Sequence, residues 1–135
     1  MNIRPRRSLL YMPGSNPRAL DKARTLPADG LILDMEDSVA PDAKQLAREQ
    51  IGAALAAGGY GHRELIVRIN ALSTEWGAQD VQAISRFATA PDAVLIPKID
   101  TARDVVEAIS AFESAGCPDS VAMWIMAETP LCILN

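Results

Sequence analysis

The sequence predicts an α/β protein built on a parallel sheet, and three observations carry that prediction. Four unbroken apolar runs, Leu31–Leu33, Leu65–Val67, Val94–Pro97 and Met123–Ala127, lack the polar alternation of a half-exposed strand and suit strands covered on both faces. Helical patterns separate them, and strict alternation of strand and helix is the order that right-handed crossovers turn into a parallel sheet. Each run also ends on charge: Asp34, Glu36 and Asp37 after the first, then Arg68, Lys98 and Glu128. The C-terminal edge of a parallel sheet is where α/β enzymes gather their chemistry.

The elements follow in order. A first strand over about residues 7–12 ends at Pro13-Gly14-Ser15. Asn16 before Pro17 opens a helix, because the amide oxygen can cap and the proline occupies a position whose N–H would be unpaired. Leu20, Ala23 and Leu26 face inward, and the helix stops near Pro27. A strand over 30–35 precedes a helix over 42–57, with Ala47, Ile51, Ala54 and Leu55 on its apolar face and Gly58-Gly59 as its stop. A third strand, 64–69, leads through Asn70 to a helix over 78–88 that packs through Val81, Ile84, Phe87 and Ala88. The fourth strand, 93–97, is followed by a helix opened by Thr101 with Asp104 three residues on, a capping-box spacing, and carrying Val105, Ile109 and Phe112. The fifth strand spans 121–127 and ends at Glu128-Thr129-Pro130.

Two architectures accept this order: an open doubly wound sheet, or the first five strands of a (β/α)₈ barrel, which takes about 250 residues in all. The turn Pro13-Gly14-Ser15-Asn16-Pro17 does not match the G-x-G-x-x-G phosphate loop of dinucleotide-binding sheets, which tilts the reading toward the barrel.

At 135 residues the chain has the length of one domain. Its net charge of −4 excludes a general nucleic-acid binder, which needs a dense basic face. Arg4, Arg6 and Arg7 form the one basic concentration and read as solvated or as facing a substrate phosphate. No apolar stretch approaches the ~18 residues that cross a bilayer, and Ser8–Met12 is too short for a signal-peptide core. Cys117 and Cys132 lack metal-ligand spacing, so a reduced cytoplasmic setting is expected. His62, the sole histidine, follows Gly58-Gly59-Tyr60-Gly61 and reads as an exposed loop residue, which argues against Ser–His–Asp or Cys–His catalysis.

If the strands are parallel neighbours, Glu36, Asp37, Arg68, Lys98 and Glu128 converge at one end of the sheet. Carboxylates opposite an arginine and a lysine suit Mg²⁺ and an anionic substrate, since Mg²⁺ prefers hard oxygen ligands and keeps several waters. An arginine can hold a carboxylate through two parallel N–H bonds, which lysine cannot. The competing reading is a ring of ion pairs that neutralise one another. Asp37 can instead cap the helix after Pro41, Lys98 can face a phosphate or pair with Glu36, and Asp34, on the strand itself, reads as structural.

The strings Arg7-Ser8-Leu9-Leu10-Tyr11-Met12-Pro13-Gly14, Asp34-Met35-Glu36-Asp37-Ser38-Val39, Val67-Arg68-Ile69-Asn70, Pro97-Lys98 and Glu128-Thr129-Pro130 occur in this order. Together they resemble the citrate lyase β-subunit-like branch of the HpcH/HpaI aldolase family, across essentially the whole chain. The resemblance implies that residues 1–135 are the N-terminal portion, about strands one to five, of a single (β/α)₈ TIM-barrel domain. It implies a cytoplasmic Mg²⁺-dependent lyase and homo-oligomer that makes or breaks a C–C bond in a 3-hydroxyacyl thioester such as citryl-CoA or malyl-CoA. The products would be a 2-oxo acid such as oxaloacetate and acetyl-CoA. By the same resemblance Arg68 binds the substrate carboxylate, and Glu128 ligates Mg²⁺ and contacts substrate. Glu36 and Asp37 form the catalytic acidic pair near the metal's water shell, and the Tyr11–Gly14 turn lies where the thioester cofactor approaches. The family's second metal carboxylate and strands six to eight would lie past Asn135, so the chain is expected to be a piece of a longer enzyme. The alternatives are a CoA-independent 2-oxo acid aldolase and a non-catalytic half-barrel that docks a partner.

Overall fold

The computed structural model, in which residues 3–135 are described, gathers β1 (Leu9–Pro13), β2 (Gly30–Asp34), β3 (Glu64–Arg68), β4 (Ala93–Ile96) and β5 (Ala122–Ile125) into one sheet. Every neighbouring pair is parallel, and the spatial order is β1-β2-β3-β4-β5. A doubly wound sheet has to reverse its strand order at a switch point. This sheet never does, so it is an arc of a (β/α) barrel.

Strand residues alternate between two environments. Leu31, Leu33, Val67, Val94 and Ile96 join Leu20, Ile51, Leu55, Val81, Ile84 and Phe112 in a core between sheet and helices. The alternate residues Ile32, Ile66, Ala93 and Leu95 form a second cluster with Leu9, Trp124 and Met126 on the concave face. Asp34 and Arg68 continue that inner row at its C-terminal end, directly opposite one another in the β2–β3 register.

The helices are α1 (Pro17–Lys22), α2 (Lys44–Ala57), α3 (Glu75–Ser85), α4 (Ala102–Ser114) and α5 (Pro130–Leu134). Asn16 caps α1 by accepting from the Ala19 N–H, and Thr101 and Asp104 form the expected capping box on α4. Several details depart from the sequence reading. A 3₁₀ turn at Pro41–Ala43 precedes α2, which therefore begins at Lys44. Helix α3 starts three residues earlier than its apolar pattern, because Gly77 lets it lie against the preceding turn; a Cβ there would meet the Ala71 carbonyl oxygen at 2.5 Å. Phe87 and Ala88 fall beyond the helix; Phe87 packs on Gly52 of α2, whereas Ala88 is exposed. On α4 the buried positions are Ala108 and Phe112, and Ile109 is exposed. Helix α5, which the sequence reading lacked, is capped by Thr129, whose hydroxyl accepts from Cys132 N–H.

The N-terminal arginines are exposed, in line with the solvated reading, and each also pairs with an acid. Arg4 pairs with Asp92 at 3.4 Å, Arg6 with Glu64 at 2.6 Å and Arg7 with Asp29 at 2.9 Å. These acids sit at the N-terminal ends of β4, β3 and β2, so the arginines fasten the chain start across the pole opposite the candidate site. His62 is exposed, as expected.

Candidate active site

Asp34 is the hub of the C-terminal edge. It is fully buried, at 0% exposure, and five donors converge on it. Oδ1 accepts from Arg68 Nε at 2.7 Å and from Glu36 N at 2.9 Å. Oδ2 accepts from Arg68 Nη2 at 2.8 Å, from Ser38 N at 3.0 Å and from the Ser38 hydroxyl. Burial on its own would raise this carboxyl, but the bonds from Arg68, Ser38 and Glu36 outweigh it and hold the group below the ordinary aspartate range. One carboxylate thus orients the Arg68 fork and closes the loop that presents Glu36 and Asp37.

Arg68 is buried, and the Tyr11 ring covers it at 4.6 Å. Burial opposes its charge, yet the Asp34 pair more than offsets this and binds its proton more firmly than in a free arginine. Its Nη1 end remains turned to the site, 3.1 Å from Glu36 Oε2 and 3.8 Å from Met126 Sδ. Glu36 is buried, which pushes its carboxyl up against the pull of Arg68 and Lys98. Its Oε2 has no partner in hydrogen-bond geometry.

Lys98 closes the group from β4. Its φ of 55° is the only positive value at a non-glycine residue among those described, and backbone strain of this kind concentrates at functional sites. In that conformation its N–H donates to Glu128 Oε1 at 2.9 Å. Its ammonium lies 3.6 Å from Glu128, 3.7 Å from Glu36 and 4.0 Å from Asp37, and Glu36 and Glu128 strengthen its hold on the proton. Glu36, Asp37, Arg68, Lys98 and Glu128 therefore do meet at one end of the sheet. Arg68 and Glu128 do not touch; Glu36 and Lys98 bridge them. Asp37 caps nothing: its exposed side chain reaches 4.0 Å from Arg68, and α2 has no side-chain cap.

Four carboxylates here face Arg68 and Lys98, with the Lys44 ammonium just behind on the Met35 and Glu36 carbonyls, and the remaining excess of negative charge suits a divalent ion. Glu36 Oε2, 3.1 Å from Arg68 Nη1 but outside hydrogen-bond geometry, keeps lone-pair capacity for such an ion. No group of three or more His, Cys, Asp or Glu able to hold a metal occurs among the described residues. The carboxylates of Glu36, Asp37 and Glu128 are hard oxygen donors of the kind Mg²⁺ takes one or two at a time, with water completing its shell. A cavity of about 380 Å³ adjoins the site, lined by residues including Glu36, Asp37, Lys44, Asn70, Trp76 and Lys98. A larger one, about 760 Å³, lies at the opposite pole around Arg4, Asp29 and His62, where Arg4, Arg6 and Arg7 are each matched by one acid, Asp92, Glu64 and Asp29.

Sequence reasoning read Asp34 as structural, which its burial agrees with, but did not foresee its clamp on Arg68, and it missed the roles of Ser38, of the Tyr11 ring over Arg68 and of Asn70. Asp34 was marked by its place as the last residue of a buried strand. Tyr11 follows only from the β1–β2 pairing.

Residues 7–135 match the family described as HpcH/HpaI aldolase/citrate lyase. The chain belongs to that family. It is 48% identical over 131 residues to a (3S)-malyl-CoA thioesterase of Cereibacter sphaeroides, covering 97% of this chain and 43% of that protein. It is 41% identical over 136 residues to citrate lyase subunit beta of Escherichia coli K12, covering 96% of this chain and 44% of the subunit. The chain thus spans less than half the length of these relatives. Among solved structures, CitE of Mycobacterium tuberculosis with magnesium and acetoacetate superposes with a TM-score of 0.65 at 28% identity, covering 95% of this chain and 57% of that one. A malate synthase of Haloferax volcanii superposes with a TM-score of 0.84 at 19% identity, covering 99% and 45%, a likeness of fold alone.

Proposed function

We propose that the full-length protein is a Mg²⁺-dependent carbon–carbon lyase that cleaves, or in reverse forms, a 3-hydroxyacyl thioester such as citryl-CoA or malyl-CoA. The products are a 2-oxo acid and acetyl-CoA. The observation that carries this reading is the Arg68 guanidinium, clamped by Asp34 through Nε and Nη2, with its Nη1 end turned toward Glu36, Lys98 and the end of β5. Relatives named for citrate lyase, and neighbours solved with oxaloacetate and magnesium or with coenzyme A, support the reaction class.

In cleavage, the bond between the hydroxyl-bearing carbon and the carbon next to the thioester breaks. Its electron pair passes to the thioester enolate, the hydroxyl loses its proton as the new carbonyl forms, and the enolate carbon gains one. Arg68 binds the substrate carboxylate through its free Nη1–Nη2 edge, replacing the contact with Glu36, so charge and orientation come from one group that does not reorganise. When bound by Glu128 and water, Mg²⁺ supplies Lewis-acid stabilisation of the charge that develops on oxygen. Lys98 steers Glu128 and offsets the repulsion among the acids. Glu36 and Asp37 order water at the rim. We take the protein to act in the cytoplasm as a homo-oligomer, with residues 1–135 as part of one barrel domain; sedimentation of the full-length protein tests the assembly.

Thioester hydrolysis is a second reading, favoured by the 48% identical relative named malyl-CoA thioesterase. Product analysis separates the two. Full-length protein is incubated with citryl-CoA or malyl-CoA, with Mg²⁺ or with EDTA. Acetyl-CoA plus a 2-oxo acid, lost in EDTA, is the expected result. Free CoA plus the hydroxy acid would replace lyase by thioesterase, and turnover unchanged in EDTA would remove the metal from the proposal. Activity confined to free hydroxy-oxo acids would identify a CoA-independent aldolase.

A further inference from the structure

A second buried polar network lies behind the site, on the helix side of the sheet. Asp80, in the middle of α3, is 0% exposed. Its Oδ2 accepts from both the backbone N–H and the side-chain amide of Asn70, each at 2.7 Å, and its Oδ1 accepts from Arg48 Nε of α2 at 2.7 Å. The same Asn70 amide donates to Met35 O at 2.9 Å. Lys44 Nζ reaches that carbonyl as well, at 2.9 Å, and Glu36 O at 2.7 Å, while Met35 N donates to Arg68 O at 2.9 Å. Apart from the Arg48–Asp80 pair, each of these bonds has one end on Asn70, Met35, Glu36 or Arg68.

Stability alone does not account for this arrangement. A buried Asp–Arg pair is commonly replaced by packed apolar side chains at no cost, and this one leaves Arg48 Nη2 without a partner. What an apolar pair cannot do is tie the end of β3 to the end of β2. We propose that Asp80 is a positioning residue: acting through Asn70, it sets the loops after β2 and β3 so that Glu36 and Arg68 keep their mutual geometry. The kinetic consequence, but not the structural one, rests on the proposed lyase function.

The test uses Asp80→Ala, Asn70→Ala and the double variant in the full-length protein, with Asp80→Asn where alanine does not fold. Hydrogen exchange read by mass spectrometry is expected to quicken about tenfold or more at residues 35–38 and 69–71, while β4 keeps its wild-type rate. Turnover per folded enzyme is expected to fall on the order of 10- to 100-fold in kcat/KM, the scale of an ångström-sized misplacement, with the double variant no worse than the poorer single. Unchanged exchange, exchange that quickens uniformly, or additive kinetic losses would overturn the proposal. Wild-type protein that turns over no thioester would refute the lyase reading, and exchange would still decide the role of Asp80.

Discussion

Replacing Arg68 by alanine strips the principal partner from a carboxylate that solvent does not reach. Asp34 is fully buried and takes two of its five hydrogen bonds from Arg68. Removing one member of a buried pair costs about 3–5 kcal/mol when the other ion is stranded. Asp34 keeps three donors in Glu36 N, Ser38 N and the Ser38 hydroxyl, so the lower end, about 3 kcal/mol at pH 7, is the expected loss. The pH dependence then changes sign. In the wild type the Asp34 carboxyl lies below its ordinary range, so its contribution is present above the unfolded-state value near ~3.9 and is lost as pH falls through the still lower folded value. Without Arg68, burial dominates and the carboxyl rises above that range. The ionised form then costs stability, and the variant becomes more stable as pH falls from 7 toward 5. Urea unfolding of full-length protein in EDTA measures both effects, with a midpoint at pH 7 lowered on the order of 1–2 M. Asp34→Asn added to Arg68→Ala is expected to recover part of the loss. An Arg68→Ala protein within about 1 kcal/mol of wild type, with a parallel pH profile, would refute the reasoning.

Two further outcomes follow from the same geometry. Burial raises the Glu36 carboxyl, so its ionisation opposes folding as pH rises through the folded value. Glu36→Gln is therefore expected to stabilise the EDTA-treated protein near pH 7 by under about 1 kcal/mol and to leave it unchanged below pH ~4, as read by thermal melts across that range. At Gly14 a Cβ would meet the Asp34 carbonyl oxygen at 2.6 Å, and that carbonyl is held in place by Gly14 N–H at 2.8 Å. Gly14→Ala should cost roughly 1–3 kcal/mol in denaturant unfolding, as overpacking does, and a change under 0.5 kcal/mol would show that the β1–α1 turn yields.

The strands and most helices were legible because their signals are local. Unbroken apolar runs mark strands covered on both faces, and Asn16 and Thr101 cap α1 and α4 through atoms three residues away. Helix α3 was placed three residues late because it was read from its apolar positions, and what lets Gly77 join it, the close Ala71 carbonyl, becomes visible only once the turn is folded. Convergence of Glu36, Asp37, Arg68, Lys98 and Glu128 was legible too, since each follows a parallel strand. Their pairing was not. The β2–β3 register alone sets Asp34 against Arg68, and only a left-handed Lys98 brings its N–H to Glu128.

By itself the sequence determined the alternating β and α elements, the charged strand ends and the membership in an aldolase and citrate lyase family, all properties carried by short stretches of chain. Tertiary structure decided that the sheet curves as a barrel arc with no switch point, that Arg4, Arg6 and Arg7 fasten the far pole, and that Asp34 organises the site. Those outcomes depend on strand order and on partners up to 88 residues apart, such as Arg4 with Asp92, which no local pattern encodes.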